Sequence, residues 1–170
     1  SGTSVTNASG VATVTFTTDG TAGTTHTVTA NDGTYSGTSP DITTQVGGAS
    51  KYVVASSTYS PTVGASVTIT AQLSDASNNP VAQAGRTVTW TSTNGGSFSS
   101  GTSVTNASGV ATVTFTVSNT VGATHTVTAF DGAYGGTSPA ITTQAGAASQ
   151  YLVTSNEYSP TAGDEVTITA

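Results

Sequence analysis

The stretch SGTSVTNASGVATVTFT, Ser1–Thr17, returns letter for letter at Ser100–Thr116. Its second half alternates. In Val110 to Thr116, Ala111, Val113 and Phe115 fall on one side and Thr112, Thr114 and Thr116 on the other. Successive side chains of a strand point to opposite faces, so this period of two predicts a half-buried β-strand. Asn106 to Gly109, immediately before it, is built of turn-forming residues.

Working outward, residues 1–71 align with 100–170 without a gap, and 52 of the 71 pairs are identical. Such copies keep one fold and one core, so the chain reads as a tandem array with a period of about 99 residues. Runs of small residues, Gly47-Gly48-Ala49-Ser50 and Gly146-Ala147-Ala148-Ser149, follow strand-like ITTQ and precede strand-like YVV or YLV. Boundaries placed there predict the C-terminal half of a domain in 1–47, a complete domain in 48–146, and the start of another in 147–170. A window on a longer protein is the simplest account of this division.

Within the complete unit, Tyr52-Val53-Val54 opens a strand, and Ser60-Pro61-Thr62 breaks it, because proline removes a ladder donor. Val67, Ile69, Ala71 and Leu73 alternate strictly onto one face. Ser74 to Gly85, with Asn-Asn-Pro, reads as a loop. Thr87 to Ser92 is the next strand, with Val88 and Trp90 inward, and Asn94-Gly95-Gly96 is a turn. Phe98 is expected to plug the core from a short irregular segment. Ala123 to Ala129 reads as one strand with His125 and Val127 inward. Phe130 to Gly136 reads as a turn, and Ile141 lies on a last strand ending at Gln144. No segment has a helical apolar period. Seven or so short strands with frequent turns predict an all-β antiparallel sandwich whose core includes Ile69, Leu73, Trp90, Phe98, Val113 and Phe115.

Composition narrows the function. Charged residues make up 6% of the chain, against roughly a quarter in ordinary domains. Lys51 and Arg86 face eight acids, for a net charge of -6. That argues against nucleic acid and against direct attachment to an anionic membrane, both of which need clustered Lys and Arg. Thr is the dominant residue, with 39 copies, and there is no Cys. Disulfides therefore contribute nothing.

The order YVV…SPTVGASVTITAQLSDASNNPVAQAGRTVTW, then GGSFSSGTSVTNASGVATVTFT, then GATHTVTA, resembles the bacterial Ig-like domains of group 1, the invasin and intimin type. The resemblance covers the whole unit and hence the whole chain. It implies sandwiches strung into rigid stalks on adhesins and other large surface proteins, at a cell surface or outside the cell. It implies no catalytic residues, since binding in that family usually resides in a separate tip domain. His125 and its copy His26 stand where such domains usually carry an aliphatic residue.

Candidate chemistry is sparse. No nucleophile–base pair is credible, so no enzymatic activity and no cofactor are expected. His26 and His125 occupy one repeat position and read as inert core histidines. Asp32 and Asp131 recur in one loop, while Asp164 and Glu165 are adjacent in another. Calcium could bind clustered carboxylates at domain junctions. However, Asp164 and Glu165 replace Ala65 and Ser66 of the preceding copy, and a site built into every repeat would not change so. The acids therefore read as solvated loop residues. Asn7-Ala8-Ser9 and Asn106-Ala107-Ser108 are sequons on a predicted surface turn, so Asn7 and Asn106 are the candidate glycosylation sites. Outward Thr rows suit the wet face of a strand; sheet twist argues against an ice-matching lattice. Lys51, replaced by Gln150 in its copy, cannot anchor a repeating isopeptide link.

The sequence thus predicts a structural repeat module, a semi-rigid spacer of an extracellular stalk, adhesin or filament. The shortage of charge that would discourage edge-to-edge pairing makes neighbouring copies of itself the expected partner. The alternative is a weak multivalent carbohydrate- or protein-binding module using the loop that holds Tyr134. Mutual completion of the two part-domains between chains would leave out the copy of 72–99, and with it Trp90 and its strand.

Overall fold

The computed structural model describes residues 2–170, and among them there is no helix. Four short strands come first: Thr25–His26 (β1), Thr29–Asn31 (β2), Ser36–Thr38 (β3) and Ile42–Thr43 (β4). Ten follow: Lys51–Ser56 (β5), Ser66–Ser74 (β6), Thr87–Ser92 (β7), Ser97–Phe98 (β8), Thr102–Val104 (β9), Val110–Thr116 (β10), Thr124–His125 (β11), Val127–Phe130 (β12), Gly135–Thr137 (β13) and Ile141–Thr142 (β14). Thr154–Ser155 (β15) and Ile168–Thr169 (β16) close the chain.

β5 to β14 pair only with one another. One sheet has the order β5-β6-β10-β8, the other β13-β12-β7-β9, and β11 pairs with β14 at the side. All named strand pairs are antiparallel. Val113 lies opposite Ile69 and Phe115 opposite Val67, so the alternating apolar sets of β6 and β10 share one face. They meet Val88 and Trp90 of β7, Val127 and Ala129 of β12, and Ile141, in one buried cluster. Each Val, Leu, Ile or Phe side chain in it contributes about 1.5–3 kcal/mol through burial. The fold is a β-sandwich. Glycine at two positions allows close approaches within it. A Cβ on Gly136 would lie 1.9 Å from the Tyr52 carbonyl oxygen, and Gly96, at φ 86°, sits where a Cβ would meet the Phe115 ring at 2.5 Å.

Four details differ from the sequence reading. The sandwich has ten short strands rather than about seven. Phe98 lies on β8, an edge strand paired to Phe115, and is half-buried against the core rather than a plug from irregular chain. Ala123 to Ala129 is not one strand. It breaks at Thr126 into β11 and β12, which join different sheets. The Thr93 hydroxyl accepts the Thr126 N–H at 3.0 Å, in place of a ladder carbonyl. Gly135 and Gly136 belong to β13 rather than the turn, which is confined to Asp131–Tyr134.

The repeat copies its local pairings at both ends of the chain. β1–β4 reproduces the register of β11–β14, β2–β3 that of β12–β13, and β15–β16 part of that of β5–β6. The copy of β10, Val11 to Thr17, forms no strand. Phe16 is 45% exposed where Phe115 is 0%, and Ile168 is 61% exposed where Ile69 is 0%.

The chain enters this sandwich and leaves it at opposite ends. Lys51 pairs with Ser74 where β5 begins and β6 ends. At the other end of β6, Ser66 pairs with Thr116, and Gln144 donates to Pro61 and accepts from Val63.

Candidate functional site

The most strongly charged spot in the sandwich is buried. Asp131, with a side chain 1% exposed, pairs with Arg86 Nε. It also accepts the Tyr52 hydroxyl at 2.7 Å and the backbone N–H groups of Ala133 and Tyr134 at 2.9 and 2.8 Å. Arg86 lies 4.7 Å from the centroid of the Tyr134 ring. Burial pushes the Asp131 carboxyl up, but Arg86, the two N–H groups and Tyr52 outweigh it and hold the group well below the usual carboxylate range. Burial first, then the hydrogen bond and charge of Asp131, push the Tyr52 phenol up to about 12. This cluster ties β5, the start of β7 and the β12–β13 turn together.

Asp131 is therefore not a solvated loop acid. Its copy Asp32 is in an exposed turn, held below the usual range by the N–H groups of Tyr35 and Thr34. The sequence signal was the recurrence of Asp-Gly-x-Tyr together with a solitary Arg; what was missing was their contact across 45 residues.

His125 is buried. Its Nδ1–H donates to the Thr93 carbonyl at 3.0 Å, because a carbonyl can only accept. Nε2 is thereby free to accept from the Ser118 backbone N–H at 3.4 Å and to face the Ser118 hydroxyl at 3.1 Å. The ring meets Phe115 edge-on at 5.5 Å. Both nitrogens are committed to holding neighbouring segments together, which leaves no lone pair aimed at a metal. Among the described residues no three His, Cys, Asp or Glu side chains converge on a common point. Asp164 accepts from the Thr161 backbone N–H at 2.9 Å within an exposed turn, and Glu165 is exposed beside it.

Asn106 is exposed, and its Oδ1 accepts the N–H groups of Ser108 and Val110 at 2.9 and 3.1 Å. Asn7 makes the same pair of contacts with Ser9 and Val11. Both side chains are thus turn formers that stand on the surface. Trp90, Ile69, Leu73, Val113 and Phe115 are core residues, and the Trp90 indole N–H donates to Ser103 Oγ at 2.9 Å. A groove of about 560 Å³ in the N-terminal part runs past Val14, Val28, Ala30 and Tyr35. It lies along the copy of the face that β10 and β12 cover together in the sandwich. No described helix is long and apolar enough to cross a membrane.

None of the curated proteins matches the chain. Among solved structures it is similar to the D0-D1 domain of intimin, with 22% identity over 69% of this chain and a TM-score of 0.46. The chain covers 61% of that structure's length. It is similar to the D00-D0 domain of intimin at 20% identity, over 78% of this chain and 70% of that one, with a TM-score of 0.50. A glycosyl hydrolase family 2 member from Bacteroides cellulosilyticus matches at 14% identity over 69% of this chain but only 17% of its own, with a TM-score of 0.53. At such identities the likeness to the latter two speaks to fold alone. Residues 53–145, more than half the chain and nearly all of the sandwich, match the bacterial Ig-like domain (group 1), and the chain belongs to that family.

Proposed function

We propose that the chain is a structural repeat module of an extracellular stalk, adhesin or filament, a semi-rigid spacer whose neutral faces pack against neighbouring copies. One observation carries the reading. The chain enters the sandwich beside Ser74 and leaves it beside Ser66, so each added unit extends the array instead of folding back. The absence of Lys and Arg beyond Lys51 and Arg86 supports the packing. Outward Thr68, Thr70, Thr112 and Thr114 cover one sheet with neutral β-branched side chains, which meet without like-charge repulsion or a large desolvation cost. In the complete unit, Tyr134 is half-buried under Arg86 and is no open platform for a sugar.

Electron microscopy with light scattering on the 170-residue protein tests both halves. Particles elongated along the direction of the array, associating side by side as concentration rises, are the expected result. Compact particles would remove the spacer reading, and monodisperse rods at every concentration would remove the self-association.

A further inference from the structure

The loop after β6, Asp75-Ala-Ser-Asn-Asn79, reaches across the boundary to the part of the chain before residue 48. Asn79 Oδ1 accepts the Ala22 N–H at 3.0 Å, and Asn79 Nδ2 donates to the Gly20 carbonyl at 2.9 Å. Asp75 Oδ2 accepts the Gly47 N–H at 2.9 Å. Asp75 is 5% exposed. Its other contacts, with the N–H groups of Ser77 and Asn79 and with Asn79 Nδ2, hold the loop in the shape that presents Asn79. Gly47 packs so closely that a Cβ there would sit 3.2 Å from Asp75 Oδ2.

We propose that the Asp75–Asn79 loop is an interdomain joint, a socket that grips the backbone of the preceding repeat and fixes the angle between the two. Every group it grips is main chain: one carbonyl and two N–H groups. It therefore recognises the shape of a turn rather than a side chain, which suits repeats whose turn residues vary. Gly20 and Ala22 are replaced by Asn119 and Val121 in the next copy, yet the turn is the same. Gly122 donates to Thr143 as Gly23 does to Thr44, and Ala123 to Thr120 as Thr24 does to Thr21. Asn119-Thr120-Val121 is accordingly the docking surface for another repeat's copy of this loop. Val121 is 59% exposed there, and its N–H has no protein partner among the described residues.

The inference deepens the spacer reading and rests on it for its purpose, but it stands on separate contacts and has a separate test. The chain lacks cysteine, so Ser36→Cys with Thr91→Cys gives one clean spin-label pair across the joint. Asn79→Ala removes both of its cross-boundary contacts. Because Asn79 also braces its own loop, Ala22→Pro is the second variant. Ala22 precedes Gly23 at φ 84° in a turn closed by Thr24 N–H on Thr21 O, the position where proline suits a type II turn. It deletes the donor from the other side and leaves the socket intact. Val121→Pro is the control. The expected result is a narrow distance distribution in the parent protein and in Val121→Pro, broadened in both other variants. In Asn79→Ala, hydrogen exchange at Ala22 should quicken about tenfold, the factor one net hydrogen bond supplies. A parent distribution as broad as the variants', or Ala22 exchange unchanged by Asn79→Ala, overturns the joint. The spacer reading is decided separately by particle shape in microscopy.

Discussion

Asp131 is one aspartate among several in the sequence, yet its side chain gathers a guanidinium, a phenol and two backbone N–H groups. Its lowered folded value means that its contribution is present above the ordinary carboxylate value of 3.8 and is lost as pH falls toward the lower folded one. Tyr52 has the opposite sense. A phenol raised from 10 to about 12 contributes fully below pH 10, and that contribution disappears between 10 and about 12. Urea unfolding of the sandwich should therefore weaken on both flanks. Tyr52→Phe should flatten the alkaline flank without removing the acid one. Arg86→Met should cost on the order of 2 kcal/mol at neutral pH, less than a wholly buried pair because Arg86 keeps one flank in water. Trp90→Ala should cost about 3–5 kcal/mol, read by circular dichroism since the sole Trp is gone. An unaltered melting temperature would contradict its burial. Trp90 was legible in the sequence because it alternates with Val88 on a short strand. The partners of Asp131 were not, because periodicity reports which face a residue takes and never which distant residue it meets there.

At the level of elements, the sequence marked strands by alternation and misjudged where alternation continues through a change of sheet. Ala123 to Ala129 keeps its period of two across Thr126, so nothing local reveals that β11 and β12 part company. The cause is the Thr93 hydroxyl, thirty-three residues away in sequence. Context also decides whether a strand exists at all. VATVTFT occurs twice; at Val110–Thr116 it lies between β6 and β8, and at Val11–Thr17 it has neither neighbour and forms no strand. Propensity is the same in the two places, so pairing makes the difference. Amide exchange resolved by residue should find Val113 and Phe115 strongly protected and Val14 and Phe16 near the unfolded rate. Equal protection in the two copies would refute this assignment.

Across the whole molecule, the core that can melt cooperatively is the one between Lys51 and Thr142. The flanking parts keep Phe16, Tyr151, Leu152 and Ile168 exposed and contribute few buried apolar contacts of their own. A chain trimmed to residues 48–146 should retain the melting temperature of the 170-residue protein to within a few degrees. The loss of the contacts that Asp75 and Asn79 make with Gly47, Gly20 and Ala22 would account for a small drop. A collapse of stability on trimming would mean that the flanks share the core.

The twin copies of VATVTFT have a kinetic side. While the chain folds, β6 meets two partners of identical sequence, one upstream at Val11–Thr17 and one downstream at Val110–Thr116. Forty-eight residues separate Thr17 from Ser66 and thirty-five separate Ser74 from Val110. Loop closure favours the downstream choice by only about 0.3 kcal/mol, too little to prevent mispairing. What breaks the tie is the segment that occurs once, Thr87–Ser99. Only the downstream partner leaves it a sheet to join, and Val88 and Trp90 a core to enter. The unrepeated stretch is thus the chain's proofreader, directing each strand to its own copy in a protein otherwise written twice.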